Sequence, residues 1–328
     1  MENVTHTLVG LMMARCGLSK TTTRGAGMMM LAANMPDMDT VAWFGGPLTY
    51  IHYHRGDAHS LAFAPLVAVI PMLLVRAGLS WRAYLASLAG VLSHLLLDWT
   101  NVYGIRLLLP FSARWFHLDI TDIVDPWIWA ILLLACIAPW LSGLVGSEIA
   151  SGGGTSKLGD GAKRGWAWFA ILALLSYEGA RFMAHHRAIE EMNAHLYDGA
   201  PAQRISALPR TFTPLRWQGV IEGNGFVRIA PVDLTTNFDP DSGRVEYPAP
   251  PSPAIEAASR TRPFEIFGQF DQLPFWQVTP TADGTLVELI DLRFGTPQHP
   301  GFAASAKVDG AGRVLDAQFG FGGIPQPK

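Results

Sequence analysis

His94 and Asp98 lie four residues apart in the apolar stretch GVLSHLLLDWTNVYG, residues 90–104. Four residues is slightly more than one helical turn, so both side chains project from one face. An imidazole and a carboxylate stacked in this way can grip one metal ion or hold each other. More groups of the same two types fill the first hundred residues: His6 in THTLVG, Asp37 and Asp39 in ANMPDMDT, and His52, His54, Asp57 and His59 in HYHRGDAHS. Imidazole and carboxylate are the ligands of zinc, manganese and iron. Each motif also has a plainer reading. His6 can be incidental, and NMPDMD can start a helix, with Pro36 in the first turn and aspartates favoured by the dipole. HYHRGDAHS can be a solvated loop, and His94 with Asp98 a single hydrogen-bonded pair. A shared metal centre accounts for all four with one cause.

The candidates His6, Asp37, Asp39, His54, His59, His94 and Asp98 outnumber the roughly three protein ligands of one catalytic zinc. They suit two ions, zinc or manganese, sharing a carboxylate. Two ions roughly 3.5–4 Å apart generate a hydroxide and clamp both oxygens of a phosphoester displacement. Asp39 and Asp98 are the carboxylates assigned to the reaction; one not consumed by the metal orients a ligand histidine or serves as general base. Arg55 and Arg106 are the cations placed to hold a phosphate through a bidentate fork, or else to snorkel at a membrane surface.

The elements that must position these groups are apolar. Of the 328 residues 49% are hydrophobic and 16% charged, against about a quarter charged in a soluble domain; mean hydropathy is +0.22. The deficit of charge is concentrated before residue 185, which points to membrane segments. Four stretches, 60–75, 83–99, 126–147 and 165–184, are the expected spans, the first two at the short end of the roughly 17–25 residues a crossing requires. A buried helical bundle is the alternative. Two shorter apolar pieces, 4–18 and 24–35, read as core, re-entrant or interfacial helices. SGGGTSKLGDGAKRG, 151–165, reads as a flexible loop.

After about residue 197 proline and glycine become frequent. Short runs such as RWQGVIE, GFVRIAPVDL, TLVELIDLRF and RVLDAQF alternate with turn signals. The expected fold is therefore an α-helical polytopic membrane domain over 1–197, with about four transmembrane helices plus short N-terminal helices, followed by a small soluble β-rich domain over 198–328. Net charge of −3 gives no argument for nucleic acid. Cys16 and Cys136, far apart in apolar surroundings, make neither a disulfide framework nor a cysteine zinc site. MENVTH lacks the basic opening of a secretory signal, so retention of the N-terminus is expected. Lys and Arg counts do not decide the orientation in the bilayer.

Taken in order, THTLVG, ANMPDMD, HRGDAHSL, HLLLDWTNVYGIRLLLPFS and DIVDP resemble the motif series of the bacterial membrane-bound metal-dependent hydrolases, the LexA-regulated inner-membrane type. The resemblance covers residues 3–126, and the tail, with RWQGVIE and VELIDLRFG, resembles the C-terminal extension of longer members. It implies metal-site roles for His6, Asp37, Asp39, His54, His59, His94 and Asp98, and it includes Asp125 without a role. Ala58 departs from the pattern, where a threonine before His59 is expected.

The expected function is an inner-membrane, multi-pass hydrolase in which a metal-bound hydroxide attacks a phosphoester or related bond of a lipid or lipid-linked substrate. A site at the edge of the bilayer favours such an amphiphile. One rival is a transporter whose His and Asp residues line a path, disfavoured because 126–147 carries almost no ionisable group. The other is a non-enzymatic sensor or scaffold, with the metal stabilising the bundle and the tail binding a partner. His299, between prolines, and His185–His186, at the exit of the fourth apolar stretch, carry no catalytic assignment.

Overall fold

The computed structural model describes residues 1–78, 80–149 and 160–322, with the side chains of 142–149 left aside. Most of the expected 151–165 loop lies outside the described residues. The chain divides into two compact units. The first comprises 1–39, 55–185 and 209–214, and the second 40–54, 186–208 and 215–328.

The first unit is helical. Helix α1 (Asn3–Cys16) is capped by Glu2, whose carboxylate accepts from the backbone N–H groups of Val4 and Thr5, and it stops at Gly17, where φ is +133°. Helix α2 (Gly25–Ala32) follows, and a 3-10 run over Met35–Gly45 begins in this unit and carries Asp37 and Asp39. Helix α3 (Pro47–Tyr53) belongs to the second unit. Two short pieces, α4 (Ala64–Val67) and α5 (Val69–Leu74), precede α6 (Trp81–Thr100). Ser80 caps α6 by accepting from Ala83 N. Helix α7 (Pro126–Ile149) starts with Pro126 in its first turn, beneath the Asp125 carboxylate, which accepts from Trp127 N and Ile128 N. Helix α8 (Asp160–Asn193) runs on into the second unit.

Helix α6 is the centre of the first unit. On one side α2 crosses it so closely that a β-carbon on Gly90 would stand 2.8 Å from Ala32 Cβ. Val91 and Leu95 of α6 pack with Ala64, Val67 and Ala68 of the α4–α5 segment. Leu97 joins Val9 and Met12 of α1, Ile128 and Leu132 of α7, and Ala167, Ala170 and Leu174 of α8.

The expectation of four transmembrane helices is not met. Among the described residues no single helix is long and apolar enough to cross a membrane. The 60–75 stretch is broken into α4 and α5, with Pro65 and Pro71 each removing a backbone donor. One bent pair, Pro47–His59 with Ala64–Leu74, has the length and composition only when both pieces are counted together. In the 83–99 stretch, Ser87, His94 and Asp98 are buried polar groups inside a core helix. The 126–147 stretch holds a shorter apolar helix, Pro126–Leu141, and 165–184 includes Glu178 and Arg181. A core helix in a bundle and a membrane helix draw on the same residues, so composition alone did not separate them.

The second unit is the β-rich part. One four-stranded sheet has the order β1 (Arg204–Pro209), β2 (Arg216–Glu222), β3 (Val227–Asp233), β4 (Arg244–Glu246). The other runs β10 (Val314–Phe321), β9 (Phe302–Val308), β6 (Gly284–Asp291), β5 (Pro274–Thr281), with antiparallel pairs throughout. A two-stranded pair, β7 (Gly295–Thr296) and β8 (His299–Pro300), holds His299. Two helices absent from the sequence reading, α9 (Pro253–Ser259) and α10 (Arg262–Phe270), accompany these sheets, and α3 packs against α10 and β10.

Candidate metal centre

Two histidines meet at the heart of the first unit. His94, on α6, has its Nδ1 2.7 Å from the Ala33 carbonyl oxygen. A carbonyl only accepts, so Nδ1 carries the proton and Nε2 presents a lone pair. His59, in a short turn over Asp57–His59, has its Nδ1 3.0 Å from Asp39 Oδ2. That carboxylate stands where it would take the Nδ1 proton of an imidazole ligating through Nε2.

The two Nε2 atoms face each other at 3.2 Å. Asp37 Oδ1 is 3.2 Å from His59 Nε2 and 3.6 Å from His94 Nε2. Asp98 Oδ2 is 3.2 Å from His94 Nε2 and 3.6 Å from His59 Nε2. Two carboxylate oxygens and two imidazole nitrogens this close repel unless a proton or a metal cation lies among them. Ligands about 2.1 Å from a tetrahedral ion stand about 3.4 Å apart, which these spacings bracket. Asp37, His59, His94 and Asp98 are all buried and could hold a metal ion.

Electrostatics agree with this geometry. Without an ion, burial pushes the His59 imidazolium down, but hydrogen bonds to Asp37 and Asp39 prevail and raise it to about 9. Burial likewise opposes ionisation of Asp37 and is outweighed by His59 and His94, which hold its carboxyl below the usual range. Asp98 is held well below its ordinary value, the Arg55 guanidinium being the largest force against burial. Both carboxylates are therefore anionic around a place where a proton or a cation is wanted.

His6, on α1, stacks on His94 with ring centroids 3.7 Å apart. Burial, followed by the neighbouring His94, lowers it to about 3. Its Nε2 is 3.5 Å from Asp98 Oδ1, and neither ring nitrogen finds a hydrogen-bond partner. His6 is thus a neutral imidazole at the edge of the four donors.

Arg55 does not reach outward for a phosphate. Its guanidinium lies 3.0 Å from Asp98 Oδ1, donates to Gly104 O at 2.7 Å and Asn101 Oδ1 at 3.3 Å, and packs on the Tyr103 ring at 4.4 Å. Its backbone adopts φ +57° and its N–H donates to Asp39 Oδ2. Arg106 Nε donates to the Arg55 carbonyl, with its guanidinium over Trp115. Asn101, which sequence reading passed over, donates to Asp98 Oδ1 at 3.2 Å; its place three residues after Asp98 was the available signal. The Met1 amino group also contacts Asp98 Oδ1.

The structure thus brings together His6, Asp37, Asp39, His59, His94 and Asp98 within one unit. His54 lies in the second unit at the end of α3, its ring stacked on Tyr50 at 4.5 Å. Asp125 holds the start of α7 and accepts from Tyr177 OH at 2.9 Å.

Residues 253–322 match the model described as the YfhP C-terminal alpha/beta plait domain. "Uncharacterized protein YfhP" of Bacillus subtilis (strain 168) is 25% identical over 285 residues, which cover 85% of this chain and 80% of the relative. No solved structure matches the chain. Residues 1–188, which contain every donor of the buried cluster, match the family model described as YdjM inner membrane protein, and the chain belongs to that family.

Proposed function

We propose that the protein is a metal-dependent hydrolase whose ion is held by Asp37, His59, His94 and Asp98. The observation that carries this reading is the pair of buried Nε2 atoms 3.2 Å apart with two carboxylate oxygens at 3.2–3.6 Å. A divalent ion bound there supplies Lewis-acid activation of water and of the bond to be cleaved. The chain's own groups do the rest. Asp39 orients His59 and is the most accessible carboxylate of the cluster, with 13% of its side chain exposed against 5% for Asp37 and none for Asp98. It is the group placed to take a proton from an entering nucleophile. Arg55 and Asn101 hold Asp98 in place, and the Ala33 carbonyl fixes the tautomer of His94.

The substrate in this reading is a phosphoester of a lipid or lipid-linked molecule. Its support is the family description together with exposed Leu66, Leu73, Leu74, Trp81, Leu85, Leu92 and Leu96 on the helices of the first unit. Metal content and hydrolysis of a phospholipid and phosphomonoester panel, measured on the detergent-purified protein, test it. One ion per chain, lost in Asp98→Asn together with hydrolysis, is the expected result; a protein with no bound metal overturns the reading.

A second reading has its own observation. Four buried protein donors around one ion make a closed site, the form structural zinc takes. Stoichiometric metal with no turnover on any member of the panel, and a large loss of stability on chelation, would favour a metal-stabilised scaffold.

A further inference from the structure

Behind the metal donors, α6, α7 and α8 share a second group of ionisable side chains. Asp125 spends Oδ1 on the first turn of α7 and Oδ2 on Tyr177. Arg181 Nε donates to Ile120 O at 2.7 Å and its Nη1 reaches Pro214 O. Glu178 of α8 is different. Its Oε1 lies 3.4 Å from Thr100 Oγ1, and its Oε2 is buried without a hydrogen-bond partner.

The direction of the Glu178–Thr100 contact follows from counting protons. A threonine hydroxyl has one. Of the oxygens around Thr100 Oγ1, Leu97 O at 2.9 Å, Glu178 Oε1 at 3.4 Å and Thr121 Oγ1 at 3.5 Å, the nearest is a carbonyl that can only accept, and it takes the hydroxyl proton. Toward Glu178, Thr100 then shows a lone pair, and the contact is attractive only when the carboxyl carries its own proton. An ionised Glu178 would also leave a buried anionic oxygen unpaired beside the Asp125 carboxylate. Burial, then Asp125, raise Glu178 to about 7 against Arg181 and the Met1 amino group, even were Thr100 to donate to it. The ionisable groups facing it are therefore Asp125 at the start of α7, Tyr177 and Arg181 on α8, and the Met1 amine; α6 offers the Thr100 hydroxyl.

We propose that Glu178 is a positioning residue for the metal centre: as the neutral acid it donates its carboxyl proton to Thr100 Oγ1 and fastens α8 to the last turn of α6, two residues beyond Asp98. Ionisation removes the donor and sets lone pairs against each other, so this clasp loosens as pH rises. The clasp stands on its own geometry; its effect on the ion rests on the metal-dependent reading above.

Infrared difference spectra of the full-length protein, titrated with pH, test the bond directly. A protonated-carboxyl band that disappears with a midpoint near pH 7 in the wild type, and is absent in Glu178→Gln, is expected. No such band, or one that persists in the variant, overturns the proposal. Thr100→Val keeps the volume and removes the acceptor, so the midpoint should move to lower pH. A midpoint that rises or stays put means Thr100 donates, and the assignment fails. Manganese affinity, compared between the wild type and Glu178→Gln below and above the midpoint, tests the positioning role. The wild type should lose about tenfold relative to the variant above it, the low end for partners behind a metal ligand; an unchanged ratio overturns the role. A protein that shows the band but binds no manganese sinks the metal reading, and the positioning role with it, while leaving the Glu178–Thr100 bond standing.

Discussion

His94 and Asp98 announce themselves by spacing, since i and i+4 share a helix face whatever surrounds them. What spacing does not contain is the partner that arrives from elsewhere in the chain. Arg55 looks like a phosphate clamp in sequence because nothing local tells which of its neighbours will be Asp98, Asn101 and Gly104 O. Folding spends its donors inward. Arg55→Met should therefore destabilise the metal-free protein by about 3–5 kcal/mol, the usual cost of stranding one buried charge, and Arg55→Lys should recover little because an ammonium lacks the fork. Urea unfolding in the presence of a chelator measures both. His59 gives a pH prediction with a definite sign. Its folded value of about 9 stands above the ordinary 6.5. The stabilisation is complete below about pH 6.5 and is lost as pH rises through the folded value. The metal-free protein should weaken between those two values, and His59→Gln should flatten that slope.

At the scale of elements, position depends on how closely backbones approach. Helix α6 can bring His94 against His59 because Gly90, one turn earlier, lets α2 come down onto it. Gly90→Val drives new carbon atoms into Ala32, where even a β-carbon stands 2.8 Å from Ala32 Cβ. Overpacking of this kind costs about 1–3 kcal/mol, and it should lower metal affinity because the Ala33 carbonyl that fixes His94 is the next residue of the displaced segment. Gly27, inside α2, has nothing within 4 Å of the same position, so Gly27→Ala should gain about 0.5–1 kcal/mol without touching the site. Thermal melts with and without metal separate the two. The apolar stretches were legible as helices but their setting was not: in α6, Val91, Leu95 and Leu97 pack against α1, α2 and α4, while Leu85, Leu92 and Leu96 are exposed. In the tail, the strands were legible by alternation. Helix α10 was missed although Phe264, Phe267 and Phe270 repeat at a helical spacing and are all buried, because proline and glycine on either side suggested turns.

The chain divides into two compact units, and the match to the Bacillus subtilis relative covers 85% of it. The first is organised around acceptors that want a cation. The second has a buried ion pair complete without one: Arg293 Nε lies 2.9 Å from Asp291 Oδ2, its Nη2 donates to Phe270 O at 2.9 Å, and its guanidinium sits against the rings of Phe270 and Phe294. Burial, then Asp291, push the neighbouring Asp271 carboxyl well above its ordinary range. The two interiors should therefore answer to different perturbations. A metal bound at a hundred times its dissociation constant stabilises the state that binds it by about 2.7 kcal/mol, and should raise the unfolding transition of the first unit. Arg293→Met strands Asp291 inside the second unit, at a cost of about 3–5 kcal/mol, and should lower the other transition. Calorimetry of the full chain, with metal, with chelator and with the variant, reads both. Each perturbation moving its own transition supports two separately organised interiors; one transition that answers equally to both would mean that the chain unfolds as a single body.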